Sequence, residues 1–323
     1  MSKLERAWQN NSLWLWLLAP FTWVFFCLSA LRRRLYASGL LRSCKVSVPV
    51  VIVGNISVGG NGKTPVVLAL AEHLHTQGLT VGILSRGYGG QCTTFPHVVN
   101  RTCEAAWVGD EPALLAQRTA ATVVIDPNRV RGAQRLAQHC DVIICDDGLQ
   151  HYALQRDIEI VVMDERGVGN GCLLPMGPLR EGKWRLHTVD YVIHNGAKPE
   201  KEHIHMQLVP EALRSVRTGE VCNDCPRAFD RAIAAIGNPQ RFFSALQQQG
   251  IALTQTEAFA DHHRYSAADL RSDETIIMTE KDAVKCRAFA SESWYYLPVK
   301  AQFSDDFLSQ ITERVQEMRN GKI

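Results

Sequence analysis

The fold of this 323-residue chain is decided by one stretch, Ser57-Val58-Gly59-Gly60-Asn61-Gly62-Lys63-Thr64. An apolar β-type run at residues 48–53 precedes it, and a helical segment rich in Leu and Ala follows from Pro65. A strand, a glycine-rich loop and a helix N-terminus form the context in which backbone N–H groups cradle a phosphate. The stretch therefore predicts a P-loop.

The side chains of this loop suit a nucleoside triphosphate. Lys63 supplies a mobile cation, and the Thr64 hydroxyl is a ligand type for Mg²⁺. The consensus G-x-x-x-x-G-K-[ST] is met except at Ser57, and we expect Gly59 and Gly60 to supply the positive φ angles. No guanine-specific Asn-Lys-x-Asp motif occurs in a convincing context, so residues 57–64 are predicted to bind ATP with Mg²⁺. A glycine-rich turn with an incidental lysine is the alternative.

Short β-branched runs alternate with helical segments along the rest of the chain. Apolar runs of this kind are typical of buried parallel strands. They occur at residues 80–85, 121–125, 141–145, 158–163 and 191–193. The sequence therefore predicts a P-loop NTPase fold, an α/β protein with a doubly wound, mostly parallel sheet whose ligands lie at the carboxyl ends of the strands.

The domain organisation follows from a change in pattern near residue 228. A polar connector at 211–227 is followed by a second βα pattern. We predict an N-terminal hydrophobic and basic segment at 1–45, a P-loop domain at 46–227 and a smaller C-terminal α/β domain at 228–323.

The N-terminal segment is apolar over a long run. Between Arg6 and Arg32 there is no charged residue, and residues 13–28 are about long enough to cross a bilayer. Pro20 and three spread tryptophans suit a helix that lies at the membrane interface instead. Spanning and lying on the bilayer therefore both remain open for residues 13–31, and a buried core helix is a third alternative.

Charge separates this segment from the rest of the chain. The net charge is +2, but residues 1–45 carry +6 and the remainder −4. This distribution argues against nucleic-acid binding and for contact with an anionic membrane surface, with the body on the cytoplasmic side. The ten cysteines have no repeating framework, which predicts free thiols in a reducing compartment and chance spacing for Cys222 and Cys225.

Two carboxylates follow an apolar strand. Residues 142–145 lead directly into Asp146 and Asp147, the arrangement by which P-loop enzymes place an acid near Mg²⁺. Turn formation is the alternative explanation. Farther along, Glu181 could also reach the metal.

Guanidinium groups occur in two turn-rich segments. Arg86 lies in a glycine-rich loop after a predicted strand, and Arg180 precedes Glu181. Either arginine could hold a phosphate of ATP or of the acceptor.

Asp110 is a candidate proton acceptor. It opens a predicted helix at 111–118, so it could be only an N-cap. A kinase, however, needs a carboxylate to accept or orient the acceptor hydroxyl proton, and the P-loop has none. In the second domain, His262 or His263 could orient this carboxylate, although a surface histidine pair is equally compatible with the sequence.

Seven motifs occur in a fixed order along the chain. They are Gly59-Gly60-Asn61-Gly62-Lys63-Thr64-Pro65, Ser85-Arg86-Gly87-Tyr88-Gly89, Gly109-Asp110-Glu111-Pro112, Asp146-Asp147-Gly148-Leu149-Gln150-His151, Leu174-Pro175 with Gly177-Pro178-Leu179-Arg180-Glu181, Asp261-His262-His263 and Thr279-Glu280-Lys281-Asp282. The ordered set resembles the tetraacyldisaccharide 4′-kinases, the lipid A 4′-kinases of Gram-negative bacteria, from the N-terminus to about residue 285. The P-loop alone is unspecific, whereas the ordered set is highly specific.

The resemblance implies transfer of the ATP γ-phosphoryl group to the 4′-hydroxyl of a membrane-embedded tetraacyldisaccharide 1-phosphate. The product would be lipid IVA, made at the cytoplasmic face of the bacterial inner membrane with no required protein partner. His262 is favoured over His263. The implied roles are catalysis by Asp110, His262 and Lys63, metal binding by Thr64, Asp146, Asp147 and Glu181, and phosphate binding by Arg86 and Arg180.

Other functions are compatible with the P-loop alone. One is a membrane-tethered ATPase switch that acts on a protein partner, and another is a kinase of a different lipid. A dinucleotide dehydrogenase is disfavoured, because Lys-Thr after the glycines suits a triphosphate better.

Overall fold

Two β-sheets organise the residues that this computed structural model describes, which are 3–196, 203–303 and 306–321. The strands are β1 Val50–Gly54, β2 Val81–Ser85, β3 His97–Val99, β4 Thr122–Ile125, β5 Val142–Asp146, β6 Ile158–Asp164, β7 Tyr191–Asn195, β8 Ile204–Pro210, β9 Arg214–Ser215, β10 Ala228–Ala234, β11 Ala252–Ala258, β12 Ile276–Thr279, β13 Trp294–Leu297 and β14 Val299–Phe303. The α-helices are α1 Lys3–Gln9, α2 Ala19–Ala37, α3 Lys63–Thr76, α4 Ala105–Val108, α5 Asp110–Arg118, α6 Arg129–Leu136, α7 Pro239–Gln248, α8 Glu280–Cys286 and α9 Phe307–Arg319. Short 3₁₀ helices lie at Leu13–Leu18, Lys183–His187 and Arg287–Phe289.

The first sheet has nine strands in the order β14-β8-β7-β6-β1-β5-β2-β4-β3. Strand β1 lies at its centre and pairs in parallel with β5 and β6. The edge strands β3 and β14 pair antiparallel with their neighbours. The five predicted strand runs form β2, β4, β5, β6 and β7, so the predicted doubly wound, mostly parallel sheet is confirmed.

Both faces of this sheet are covered. Val51 and Val53 of β1 pack in the apolar cluster that contains helix α3, whereas Ile52 packs in the cluster that contains helix α6. Successive side chains of a strand point to opposite faces, so every residue of β1 is buried. This explains why the central strands have unbroken apolar sequences instead of alternating ones.

The second sheet has five strands in the order β11-β10-β12-β13-β9, and its four long strands run parallel. We call residues 214–297 the second lobe, and the nine-stranded sheet with its helices the first lobe. Helices α7 and α8 each pack in a separate apolar cluster of the second lobe. Cys222 and Cys225 are bonded to each other, so the prediction of free thiols is wrong for this pair and holds for the other eight cysteines.

The chain returns to the first lobe at its C-terminal end. Strand β14 pairs with β8, and helix α9 places Phe307, Ile311 and Val315 in the apolar cluster of helix α3. The predicted boundaries of 46–227 and 228–323 therefore do not follow the two sheets. The difference arises because β14 pairs with a strand about 90 residues earlier, and a pairing over that distance leaves no local pattern.

The N-terminal segment lies on the surface of the first lobe. Within the described part of the chain, residues 13–37 form one helical stretch that is long and apolar enough to cross a membrane. Helix α2 has no buried residue, so the alternative of a buried core helix is wrong. Its large exposed side chains include Phe21, Trp23, Val24, Phe26, Leu28 and Leu31.

Contacts with one loop hold this segment to the body. The Trp8 indole donates to the Pro175 carbonyl at 3.0 Å, and the Met176 amide donates to Thr22 Oγ1 at 3.1 Å. Trp8 and Leu15 also pack in a small apolar cluster that includes Val58 of the P-loop. The N-terminal segment therefore adjoins the P-loop.

Candidate active site

The carboxyl ends of the central strands open into a cavity of about 610 Å³ between the two lobes. This position agrees with the expected ligand site of a doubly wound sheet. Most of the predicted site residues line it, namely residues 58–64, Arg86, Asp146, Asp147, Arg180 and His262. Ser57, Asp110 and Glu181 are absent from the lining.

The P-loop has its positive φ angles at Gly59 (+100°) and Gly62 (+92°). The predicted positive φ angle is confirmed at Gly59. The prediction is wrong for Gly60, and Gly62 has the second positive φ angle instead. Helix α3 begins directly after Gly62, so its free N–H groups face the cavity. A Cβ atom at Gly62 would collide with the Asn195 amide, so space and backbone both require glycine there.

Hydrogen bonds from the side chains of Asn61, Arg166 and Asn195 stabilise the loop. Asn61 is buried and donates to Ser57 Oγ at 3.0 Å, which explains why Ser57 faces away from the cavity. Arg166 donates to the Gly60 carbonyl at 3.0 Å and to Asn61 Oδ1 at 2.8 Å. Asn195 donates to the Asn61 carbonyl at 3.1 Å. The loop is thus held in shape by neighbouring strand ends.

Asp147 lies among cations. Lys63 Nζ is 3.6 Å from Asp147 Oδ1, and Arg180 donates to both carboxylate oxygens at 2.9 and 3.2 Å. Burial would raise the pKa of Asp147, but Lys63 and Arg180 outweigh it and hold the pKa at about 2. Asp147 is therefore ionised at neutral pH.

Asp146 has the opposite environment. It is buried, and this burial together with nearby Glu111 raises the pKa of Asp146 to about 7. Its Oδ1 is buried without a hydrogen-bond partner. A carboxylate oxygen in this state fits a cation, because a cation would supply the missing partner.

The donor set fits Mg²⁺ shared with a nucleotide. Thr64, in the first turn of α3, lines the cavity with Asp146 and Asp147. Among the described residues, no three His, Cys, Asp or Glu side chains are grouped to hold a metal alone. Mg²⁺ in kinases uses one or two carboxylates together with substrate phosphates, so a sparse protein donor set is the expected one.

Glu181 has other partners. Its carboxylate accepts from the Tyr152 hydroxyl and from Gln150 Nε2, the latter at 3.2 Å, and Arg185 Nε lies 3.5 Å away. Because both oxygens are engaged and the side chain is outside the cavity lining, the predicted metal ligation by Glu181 is not supported by this geometry.

Asp110 and His262 are in contact across the two lobes. His262 Nδ1 lies 2.9 Å from Asp110 Oδ2 and 3.1 Å from Oδ1. The N-cap of α5 is Gly109 rather than Asp110, so the capping alternative is wrong. Of the three described non-glycine residues with positive φ, two are the site residues Asp147 and His262. Such conformations cluster at functional sites.

The two partners differ in exposure to the cavity. His262 lines it, whereas Asp110 is 6% exposed and lies behind the imidazole. Burial would raise the pKa of Asp110, but His262 and Lys281 bring it to about 2. The hydrogen bond to Asp110 raises the pKa of His262. His263 instead stacks on Phe259 at 4.8 Å, so the structure brings His262 and not His263 to the cavity.

Three cations of the cavity were not predicted from the sequence, namely Arg129, Arg241 and Lys281. Arg129 lines it and donates to the Asp146 carbonyl at 3.1 Å. Lys281 lies 3.0 Å from Glu111 and 3.8 Å from Asp110. The local sequence around Lys281 indicates only a capped helix start, and Thr279 does cap helix α8.

A P-loop, a pair of acids beside its lysine and an aspartate–histidine contact at the same cavity are the features of a P-loop phosphotransferase. Residues 14–316 match the sequence model of the Tetraacyldisaccharide-1-P 4′-kinase family. The chain therefore belongs to this family and is a kinase, which confirms the resemblance found in the sequence.

Curated relatives and a solved structure agree with this assignment. The chain is 48% identical to the tetraacyldisaccharide 4′-kinase of Tolumonas auensis, over 98% of this chain and 99% of that protein. It is 47% identical to the protein of the same name from Haemophilus influenzae, over 97% and 99%. The crystal structure of LpxK from Aquifex aeolicus in complex with ATP superposes with a TM-score of 0.80 at 27% identity, covering 94% of this chain and 99% of that one.

Proposed function

We propose that this chain transfers the γ-phosphoryl group of ATP to the 4′-hydroxyl of tetraacyldisaccharide 1-phosphate, giving lipid IVA and ADP. The observation that carries the proposal is the contact between Asp110 and His262 at the wall of the P-loop cavity. An ATPase switch has no use for a proton acceptor of a sugar hydroxyl, whereas this kinase requires one. The names of the relatives and the ATP complex of the Aquifex aeolicus protein support the same reaction.

ATP binding uses groups from both lobes. The P-loop N–H groups at residues 58–64 hold the phosphates, and Lys63 neutralises their charge. Apolar side chains line other parts of the cavity and suit a nucleotide base: Leu68, Leu208, Pro210, Phe242, Leu297 and Val299.

Thr64, Asp146 and Asp147 are the residues that would hold Mg²⁺, and Glu181 is left out of this set. When bound, Mg²⁺ neutralises charge on the phosphate oxygens. Arg86 and Arg180 both line the cavity, so both guanidinium groups can reach phosphate oxygens there.

In this proposal the proton of the 4′-hydroxyl passes to His262 and not to Asp110, the acceptor expected from the sequence, because His262 lines the cavity and Asp110 does not. The carboxylate of Asp110 accepts the Nδ1–H of His262, which leaves Nε2 unprotonated toward the cavity. As the acceptor oxygen bonds to the γ-phosphorus and the bond to the bridging oxygen of ADP breaks, Nε2 takes the proton. Asp110 orients the ring and stabilises the imidazolium that forms. The two lobes must be docked for this, because each supplies one partner.

The N-terminal segment brings the kinase to its acceptor. Each buried CH₂ of an acyl chain is worth about 0.8 kcal/mol, so a tetraacylated sugar stays in the bilayer. We place the segment on the cytoplasmic face of the inner membrane, with Arg32, Arg33 and Arg34 among the headgroups. Thr22, midway along the apolar stretch, is bonded to the body, which favours a helix that lies on the bilayer over one that crosses it.

The reaction is tested by transfer of γ-labelled phosphate from ATP to detergent-dispersed tetraacyldisaccharide 1-phosphate. We expect Mg²⁺-dependent labelling of the lipid by the wild type, loss of labelling in Lys63→Ala, and full labelling by Lys300→Ala, which alters an exposed lysine outside this cavity. Label released only as inorganic phosphate would contradict the proposal and favour the ATPase switch. Labelling of diacylglycerol or polyprenol in preference to the disaccharide would favour a kinase of another lipid.

A further inference from the structure

Lys281 reaches from the first turn of α8 into a group of three carboxylates. Its Nζ lies 3.0 Å from Glu111 Oε1, 3.8 Å from Asp110 Oδ2 and 3.9 Å from Asp261 Oδ1. The lysine side chain is only 17% exposed. Asp110 and Glu111 begin helix α5 of the first lobe, while Lys281 and Asp261 belong to the second lobe. One ammonium group therefore joins the lobes at the proton-accepting pair.

The same carboxylates face His262. Nδ1 of the imidazole contacts Asp110, and Nε2 lies 3.9 Å from Asp261 Oδ1. The ring of Tyr88 packs against the imidazole edge-on, with centroids 5.2 Å apart. The positive charge of Lys281 acts on His262 together with these two carboxylates. Lys285 acts on Asp110 and is paired with Asp282 at 2.7 Å. The charge around His262 is thus that of two carboxylates, partly offset by one ammonium group.

We propose that Lys281 is a positioning residue for phosphoryl transfer, which docks the second lobe on the start of helix α5 and offsets the carboxylate charge around His262. The inference rests on the proposed function, in which His262 accepts the hydroxyl proton. An imidazole among carboxylates binds its proton more tightly, and a protonated imidazole cannot accept another. The charge of Lys281 lowers the pKa of His262, in opposition to Asp110 and Asp261. Asp110 raises the pKa of His262 overall, and Lys281 limits this rise and so the protonated fraction of the imidazole.

The test compares the pH dependence of kcat for the wild type, Lys281→Met and Lys281→Arg, with saturating ATP and lipid. In Lys281→Met we expect the acidic limb of the pH profile of kcat to shift to higher pH by about one unit, because the loss of one nearby charge shifts a pKa by about that amount. Lys281→Arg keeps the charge and returns the limb toward the wild-type position. A uniform loss of kcat with an unmoved limb would overturn the proposal and leave Lys281 a purely structural contact.

A second variant guards against misfolding of Lys281→Met, which leaves buried carboxylates without their cation. Asp261→Asn removes one partly exposed acid beside His262 and moves the acidic limb down, in the opposite direction. An unchanged limb in Asp261→Asn would contradict the charge balance.

NMR titration of His262 in full-length protein, in detergent and without substrate, separates this inference from the reaction itself. We expect a higher titration midpoint in Lys281→Met and a lower one in Asp261→Asn. Midpoints equal to that of the wild type would overturn the inference even if lipid is phosphorylated. A wild type that leaves the disaccharide unphosphorylated would overturn the proposed function, while the NMR shifts would still report on Lys281.

Discussion

At Gly62 the backbone angle and the available space both exclude a side chain. Its φ is +92°, and a Cβ would collide with the Asn195 amide that braces Asn61. We predict that Gly62→Ala lowers ATP affinity at least tenfold (roughly 1.4 kcal/mol), because the N–H groups of the loop would no longer converge on the phosphates. Titration with a fluorescent ATP analogue measures this loss.

Gly78 provides the matched control for Gly62. It also has a positive φ, +80°, but a Cβ there would meet no atom within 4 Å. Gly78→Ala should therefore cost about 1–2 kcal/mol of stability from backbone strain alone and leave ATP affinity unchanged. Equal losses of affinity in the two variants would show that strain, and not the shape of the P-loop, is responsible.

The neighbours His262 and His263 have separate roles. We predict that His262→Ala lowers kcat for lipid phosphorylation by about 10²- to 10⁴-fold, the usual contribution of a general base, with little change in ATP affinity. His263 packs on Phe259 and Tyr265 within the second lobe, so His263→Ala should lower the melting temperature and spare kcat. Initial rates at saturating ATP, with a thermal melt of each variant, distinguish the two. A larger kcat loss in His263→Ala would contradict the assignment.

At the scale of elements, helix α2 presents an apolar surface that the body does not cover. Phe21, Trp23 and Leu28 are 64%, 67% and 62% exposed. Burying one large apolar side chain contributes about 1.5–3 kcal/mol, so replacing all three with Ser should weaken vesicle binding far more than tenfold. ATP affinity should be unchanged, because none of the three side chains lines the cavity. Co-sedimentation with anionic vesicles measures the effect.

Trp8→Ala tests the docked face of the same segment. Trp8 is 8% exposed and bonded to the Pro175 carbonyl. Its loss should loosen the segment from the body while leaving the exposed apolar face intact, so vesicle binding should persist. Undiminished vesicle binding by the triple Ser variant would show that α2 is not the membrane-binding element.

Elements with a local signal were predictable from the sequence. The β1 strand, the P-loop and helix α3 follow from apolar periodicity and glycine spacing within 30 residues. The partners of Glu181 and Lys281 could not be predicted from the sequence. Tyr152 approaches Glu181, and Glu111 approaches Lys281, only in the folded chain. Metal binding by Glu181 is predicted from the sequence because the sequence does not show that the Tyr152 hydroxyl and the Gln150 amide donate to its carboxylate. Resemblance supplied the Asp110–His262 pair, which lies 152 residues apart and has no local pattern.

At the scale of the whole molecule, the second lobe is inserted before the last strand of the first sheet. The chain leaves the first sheet after β8 and returns at β14, so both connections lie side by side. A charged contact then joins the lobes beside the cavity, since Arg118 of α5 binds Glu280 of the second lobe at 2.8 Å. Arg118 also binds Glu211, in the connection between the lobes, at 2.7 Å. Adjacent connections and polar contacts between lobes suit a hinged closure over ATP.

The Asp110–His262 contact should make the stability of the docked state depend on acid pH. The pKa of Asp110 is lowered from 3.8 to about 2 in the folded protein. A carboxyl with a depressed pKa stabilises the fold fully above its unfolded value, and this contribution disappears as pH falls through the folded value. Asp110 is 6% exposed, so the contribution is about 2 kcal/mol at neutral pH.

We therefore predict a steeper loss of unfolding free energy between pH 4 and pH 2 (roughly the interval between the two pKa values) for the wild type than for Asp110→Asn, measured by urea titration. Asp110→Asn has no carboxyl to titrate at this position. Its unfolding free energy should therefore fall by about 2 kcal/mol less over this interval than that of the wild type. His262→Ala should show an intermediate dependence of unfolding free energy on pH. This variant loses the hydrogen bond from His262 that lowers the pKa of Asp110, but it keeps Lys281, which lowers the same pKa. Identical slopes in all three proteins would mean that Asp110 titrates normally and that its contact with His262 does not hold the lobes together.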